Sequence, residues 1–545
     1  MLESHLRNLL SNTEMIINNE IELWQLMNSL YLVLILIVLW ILGLNVLSPY
    51  INKTKHFQVY VGALLLWKST KNRGVMDRVS GKSQKIIFSK IAVVIVFIFF
   101  ILAMAVMIYG AFLGLTVKST RSLSPAELLG LPGINPIIPI GYGIIAFAVS
   151  IMIHELFHGI TARKHGIKVT SVGVMFFIVP LGAFVEPDES EINKADPVIK
   201  RRIIAAGPAI NVVMALLALF ILVGAMAPAM HQKQPGAYIY SVEPNSIYSN
   251  NSLAGMELIS IGNYSGNSIV NLPYNSSLIP GKLYNGTFFD GTSFKNITIP
   301  AGVTIYGLIS GYPAAASHLE TGSIITSVNN KTVYNLTTLS NIFQNVTPGK
   351  SVNISTVYYH NNESKTYENT TVGTVSEYQY YESVDPSAAT SSMKNVAFVG
   401  IEIIYSGMSL DSLNSLKQVI SGSLTYQDPW YGFLETLSLP FSGLTPVPTS
   451  LAHMYTTPFS ESIFFIFFNM LYWLFWVNIL LAITNALPLV ITDGHQFFRE
   501  SLTILSRRKK FAFLRNKKVF DNIIIGINIV VLMLFLLEFL SVSIS

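Results

Sequence analysis

The chain has 545 residues, no cysteine, a net charge of +5 and only 12% charged residues. Soluble domains average about 25% charged, and the mean hydropathy here is +0.50, so an ordinary soluble protein is excluded. The lack of cysteine rules out disulfides, thiolate metal sites and a cysteine nucleophile, which leaves His, Asp and Glu to hold any transition metal.

The first 25 residues carry Glu3, Glu14, Glu20 and Glu22 rather than a basic stretch. No cleavable signal is expected, and the first apolar block reads as a retained anchor. Six apolar blocks are long enough to cross about 30 Å of hydrocarbon as helices: 28–48, 89–115, 140–162, 203–228, 462–484 and 521–542. The stretch from Phe57 to Trp67 is too short to span and is expected at the membrane interface. Lys and Arg collect on cytoplasmic loops. Three loops are basic: 68–90, 163–202 and 507–518, the last reading RRKKFAFLRNKK. With all three inside, six helices alternate without conflict, and both termini and residues 229–458 fall outside.

The 229–458 region is rich in Asn, Ser, Thr, Gly and Tyr, with short alternating apolar runs that predict β-strands joined by turns. It carries many N-x-[ST] triplets between Asn250 and Asn369. These are either glycosylation acceptors on an external surface or the chance product of the composition. Residues 405–458 read as amphipathic surface segments, with WYGFLETLSLPFSGL suited to an interface.

The chemistry is concentrated in IMIHELFHGI, residues 151–160. Positions i and i+4 share one helix face, so His154 and His158 can offer two imidazole nitrogens to one metal ion. Glu155 projects about 100° round the helix, near enough to take a proton from water at the metal. Zn²⁺ suits three protein ligands and one open position. An ionisable cluster inside an apolar span is costly and is functional by default. A second place stands out at 485–494, NALPLVITDG, where Asp493 lies at the edge of a hydrophobic run between Pro488 and Gly494. By itself Asp493 reads equally as a helix cap or loop residue.

HExxH in one apolar segment, followed by N-x-x-P-x-x-x-x-D-G in a later one, resembles the site-2 protease family of intramembrane metalloproteases. Asn485, Pro488, Asp493 and Gly494 match the second motif; Thr492 stands where the family often has Leu. The stretch AAGPAIN at 205–211 is also family-like. The resemblance implies His154, His158 and Asp493 as zinc ligands, Glu155 as general base and Asn485 as a substrate-positioning or oxyanion-stabilising side chain. It casts Gly207, Pro208 and Asn211 as structural residues that permit close helix contact. The apolar segment 167–188, punctuated by Gly173, Pro180 and Gly182, reads either as an ordinary cytoplasmic hairpin or as a strand pair entering the membrane. In the family such a loop offers its edge to an extended substrate. GLISGYPAAASHLETGSIITSVNNKTV, from 307 to 333, resembles a PDZ domain, and 237–263 repeats its outline.

The expected architecture is a polytopic α-helical membrane protein of about six transmembrane helices with an inserted extracytoplasmic β-rich, PDZ-like domain. Residues 1–138 form an N-terminal transmembrane pair with its basic loop, and 139–228 and 459–498 the two parts of the catalytic core. Residues 229–458 form the external region, clearest as PDZ-like at 302–375, and 499–545 the last loop and helix. Membrane proteins with transmembrane segments are the expected substrates. The bilayer is the medium, the cut falls near the cytoplasmic face, and no nucleic-acid partner is expected. Two rivals are an inactive scaffold that binds partners through the PDZ-like region and a zinc transporter. The first requires loss of one of His154, Glu155, His158 or Asp493, and all are present. The second requires ionisable residues spread along several helices, whereas here they gather at one level.

Overall fold

The computed structural model describes residues 35–54, 56–60, 62–69, 87–116, 135, 137–177, 179–244, 253–360, 365–384, 388–413, 429–440 and 445–544. The chain packs as two compact units. One comprises residues up to 104, 144–213 and 478–531; the other comprises 105–143, 214–477 and 532–545.

The long apolar blocks form helices because a helix satisfies every backbone polar group within one segment, as hydrocarbon requires. They are α1 (Ile35–Ile51), α2 (Ile87–Thr116), α3 (Ile140–Lys164), α4 (Pro197–Ile221), α5 (Glu461–Ala486), α6 (Asp493–Ser506) and α7 (Lys517–Ile544). Among the described residues five are long and apolar enough to cross a membrane: α2, α3, α4 with its π-helical extension to Met226, α5 and α7. The sixth expected span is described only from Ile35, as the shorter α1; residues 28–34 lie outside the described residues. In the first unit, Ala92 and Val96 of α2, Ala205 and Ala209 of α4 and Phe497 of α6 form one buried cluster. The alanines let the backbones approach closely.

The same unit holds a four-stranded antiparallel sheet in the order β1 (Phe57–Tyr60), β2 (Leu64–Ser69), β3 (Val169–Phe177), β4 (Val179–Pro187). The 167–188 segment is therefore a strand pair. The stretch from Phe57 to Trp67, read from the sequence as too short to span, is a hairpin turned near Gly62 at φ +69°. Its partner is about 100 residues away: β2 pairs with β3 from Leu65↔Phe176 to Ser69↔Val172. Two bonds pin the turn to α1, from Trp40 Nε1 to Ala63 O at 2.8 Å and from Asn45 Nδ2 to Gly62 O at 2.8 Å. Across the sheet, Lys68 Nζ pairs with Glu186 Oε1 at 2.5 Å, and Ser171 donates to Glu186 Oε2.

The second unit carries the β-rich region: two short pairs, β5 (His231–Gln232) with β20 (Tyr455–Thr456) and β16 (Val375–Ser376) with β17 (Ala397–Phe398), and a 12-stranded sheet of two halves, each with its own core. The first half runs β6 (Ala237–Val242), β7 (Glu257–Ile261), β8 (Tyr264–Ser265), a helical segment over 266–275, β9 (Leu283–Phe289) and β10 (Phe294–Pro300). The second runs β11 (Val303–Leu308), β12 (Ile324–Val328), β13 (Lys331–Thr332), the helix Leu336–Gln344, β14 (Ser351–Tyr359) and β15 (Lys365–Gly373). The order of elements is the same in both. So are the left-handed turns, at Gly262 before β8 and at Asn329 and Asn330 before β13. Phe288, Leu258 and Ile299 centre one core; Ile325, Val328 and Ile354 centre the other. The strands β18 (Ile401–Tyr405) and β19 (Met408–Asp411) join the halves, β18 pairing with β11 and β19 with β6. Of the segments expected at an interface, 414–428 and 441–444 lie outside the described residues. The helix Pro429–Ser438 accepts bonds from α5, Tyr472 Oη to Thr436 O at 2.6 Å and Trp476 Nε1 to Leu437 O at 3.2 Å.

One buried group in this unit makes its stability depend on pH. Glu257 on β7 is fully buried; Gln232 Nε2 donates to Oε1, and Oε2 has no partner. Burial pushes its carboxyl up to about 7, against the opposing bond from Gln232. The unfolded chain releases this proton near the ordinary value of 4.5, whereas the folded domain holds it to about 7. Stability therefore falls as pH rises between these values and stays lower above them. The neutral isostere escapes this loss. Glu257→Gln should raise the melting temperature at pH 8, by up to about 3 kcal/mol of stability, and much less at pH 4.5. An equal gain at both pH values in thermal melts would contradict the assignment.

Candidate metal centre

Helix α3 presents His154 and His158 one turn apart, with ring centroids 4.8 Å from each other. Their Nε2 atoms are 3.1 Å apart. Asp493, the first residue of α6, brings Oδ2 to 2.9 Å from His154 Nε2 and 3.2 Å from His158 Nε2. Three ligand atoms from residues 339 positions apart in the chain thus converge on one point. Ligands about 2.0–2.2 Å from a tetrahedral zinc stand roughly 3.4 Å from one another, so the separations suit one small cation.

The loop that delivers Asp493 follows from its residues. Helix α5 ends at Ala486 and Pro488 cannot continue it. Thr492 is the residue before α6; its hydroxyl donates to Leu487 O and, at 2.9 Å, to Leu489 O, closing the turn. Gly494 packs against the end of α5, where a Cβ would overlap the carbonyls of Ala486 and Leu487. Thr492, a departure from the usual Leu, thus has a job that Leu cannot perform.

Helix α4 closes the site from the other side. A Cβ on Gly207 would overlap His158 Nε2 and lie 2.6 Å from His154 Nε2. The glycine keeps open the space between the imidazoles, and a side chain there would fill it. One turn earlier, Ile203 O lies 2.8 Å from His158 Nδ1 and accepts its proton, leaving the Nε2 lone pair toward the centre. One turn later, the Asn211 amide lies 3.1 Å from His154 Nδ1, and Asn211 Oδ1 is buried without a partner. The two ends of an amide are assigned from their hydrogen bonds. With Oδ1 turned to His154 Nδ1–H, the orphan oxygen is satisfied and His154 Nε2 is also free to bind a metal. Gly207 and Asn211, read from the sequence as residues that permit close helix contact, form with Ile203 the face that holds both rings. The spacing of four was the available signal. Ile203 acts through its backbone carbonyl, so its side chain carried none.

Glu155 is half-buried beside His154 and has no hydrogen-bond or ion-pair partner among the described residues. Asn485 is also half-buried, on the last turn of α5, and has no such partner among the described residues. Neither belongs to the converging group. Asn478 of α5 donates to Ser150 Oγ of α3 at 2.8 Å, tying the two helices one turn before His154. A polar cavity of about 360 Å³ adjoins the centre, lined among others by Ile203, Val490, His495, Lys200, Arg499 and Glu500.

Comparison with known proteins adds two findings. The model of Peptidase family M50 matches residues 142–535. A protein of Methanocaldococcus jannaschii described as uncharacterised is 36% identical over 126 residues, which is 21% of this chain and 34% of that protein. The match spans about a third of that relative's length.

The geometry makes a measurable demand on Asn211. Asn211→Leu should weaken binding of zinc by about 10–100-fold, measured by competition with a chelator of known affinity. Unchanged affinity would reduce Asn211 to a packing residue.

Proposed function

The chain belongs to peptidase family M50, the site-2 protease family, and on that premise we propose that it is an intramembrane zinc metalloendopeptidase. It cuts transmembrane segments of other membrane proteins near the cytoplasmic face. The observation that carries this reading is the convergence of His154, His158 and Asp493 on one point in a unit built from apolar helices.

Zinc, when bound, supplies Lewis acidity and makes water a competent nucleophile near neutral pH. His154, His158 and Asp493 hold it, and the aspartate offsets part of its charge. Glu155, which has no hydrogen-bond or ion-pair partner among the described residues, takes the proton from the attacking water and passes it to the leaving amine. Asn485, on the last turn of α5, hydrogen-bonds the substrate backbone. The polar cavity beside Ile203 and His495 supports access of water from the basic side. His158 lies five residues before Arg163, roughly 7–8 Å along the helix, which favours a cut near the cytoplasmic boundary.

An intact helix hides its peptide bonds in its own hydrogen-bond ladder, so the substrate must unwind. An extended segment then needs partners, and a sheet edge provides them. The outer edge of β3 is occupied by β2, and among the described residues the sheet has two edges, β1 and β4. β4 is the edge assigned to the substrate. It runs close to the catalytic helix, since a Cβ on Gly182 would lie 2.7 Å from Ile151 Cγ2 of α3. Substrates with helix-weakening residues near the cut are preferred, and a run of Leu placed there should slow cleavage.

The β-rich region is read as two PDZ-like units that admit substrates by their chain ends. Support comes from the repeated order of elements and from a groove of about 290 Å³ between the helix Leu336–Gln344 and the segment 396–403. Leu339 and Phe343 face Val399, Ile401 and Ile403 across it.

The decisive experiment co-expresses a candidate membrane substrate with the wild type and with Glu155→Gln. The variant should lose about 10²–10⁴ in cleavage rate while keeping its zinc. Continued cleavage at the wild-type rate would overturn the mechanism.

A further inference from the structure

A second site lies in the membrane unit, apart from the metal centre. A cavity of about 460 Å³ opens between α2, α4 and α6. Its walls are almost entirely hydrocarbon, with Phe97, Phe100, Phe497 and Leu502 prominent, and among the described residues Arg201 is the one charged residue that lines it. Phe100 and Phe498 stack at 5.9 Å, joining α2 to α6. Val94 and Phe97 remain exposed on the outer face of α2, so the cavity is open to the surroundings of that helix.

Arg201 is the unusual member. Three cations of this unit are paired with carboxylates: Lys68 with Glu186, Lys168 with Glu191, Arg507 with Asp196. Arg201 is half-buried, its Nε is shut from solvent without a hydrogen-bond partner, and no carboxylate pairs with it among the described residues. A partly desolvated guanidinium without a counter-ion is unfavourable, and its planar fork matches phosphate. It sits where the basic run Lys200, Arg201, Arg202 gives way to the apolar stretch of α4, and Lys90 marks the same change on α2.

We infer that this cavity binds one anionic phospholipid, with its phosphate on Arg201 and one chain along the phenylalanine-lined wall of α2. Basic pockets between membrane helices on the cytoplasmic side are suited to such headgroups. The lining suits a phosphate joined to an apolar chain: Arg201 is its one charged residue among the described residues, and its other walls are almost all hydrocarbon. The inference does not depend on whether the metal centre cuts peptides.

The test reconstitutes the full-length protein in nanodiscs of phosphatidylcholine alone or with 20–30% phosphatidylglycerol (about one lipid in four). Retained lipid is read by native mass spectrometry and stability by thermal melting. The wild type should retain one phosphatidylglycerol and melt at a higher temperature in its presence. Arg201→Gln should reduce retention at least tenfold and abolish the shift, and Arg201→Lys should restore part of it. Leu502→Trp, which fills the cavity and keeps the charge, should also lose the lipid, whereas Lys509→Gln should not. The inference is overturned if the wild type shows no preference for the anionic lipid. It is equally overturned if Arg201→Gln or Leu502→Trp retains it fully, or if inorganic phosphate alone reproduces the thermal shift. A substrate segment that competes while the lipid does not would also overturn it.

Discussion

Two imidazoles and a carboxylate, held within 3.2 Å of one another by apolar helices, are the constraint to which the rest of the membrane unit answers. Such groups are tolerable there only if each polar atom has a partner or a metal. The helix α3 supplies the spacing, and the broken end of α5 supplies the acid. Helix α4 supplies the closeness: Gly207 admits the rings, and Ile203 and Asn211 take up their far nitrogens. Removing Asn211 leaves an imidazole nitrogen without its partner, and a side chain at 207 closes the space between the rings.

The same accounting explains the irregular backbone. A helix end and a sheet are tolerated at membrane depth only where protein satisfies them. Thr492 closes the turn after Pro488 on two carbonyls. The β1–β2 hairpin covers the β3 edge, so that β1 and β4 are the two edges of the sheet among the described residues. Of these, β4 runs beside α3, where Gly182 meets Ile151.

The β-rich unit follows a different economy. Its strands bury alternate side chains in two cores, one for each repeat of strand, hairpin, helix and strands. Glu257 is one exception within it, a buried acid that holds its proton up to about pH 7.

The sequence by itself determined the class of fold and pointed to His154, His158 and Asp493 as a group that could hold a metal. Hydrophobic length specifies membrane helices, and an i, i+4 pair of histidines can reach one ion from one helix face, both local properties of the chain. Asp493 was legible only through its motif, since an acid beside Pro and Gly is otherwise an ordinary cap. Tertiary structure decided what depends on distant partners. Phe57–Trp67 became a hairpin because β3, about 100 residues on, offered it an edge. Asn211 and Ile203 became the partners of the imidazoles because α4 packs across α3, which no local pattern encodes. Arg201 stands without a counter-ion for the same reason: whether a cation is matched is a property of the neighbours that folding brings to it, not of its own position in the chain.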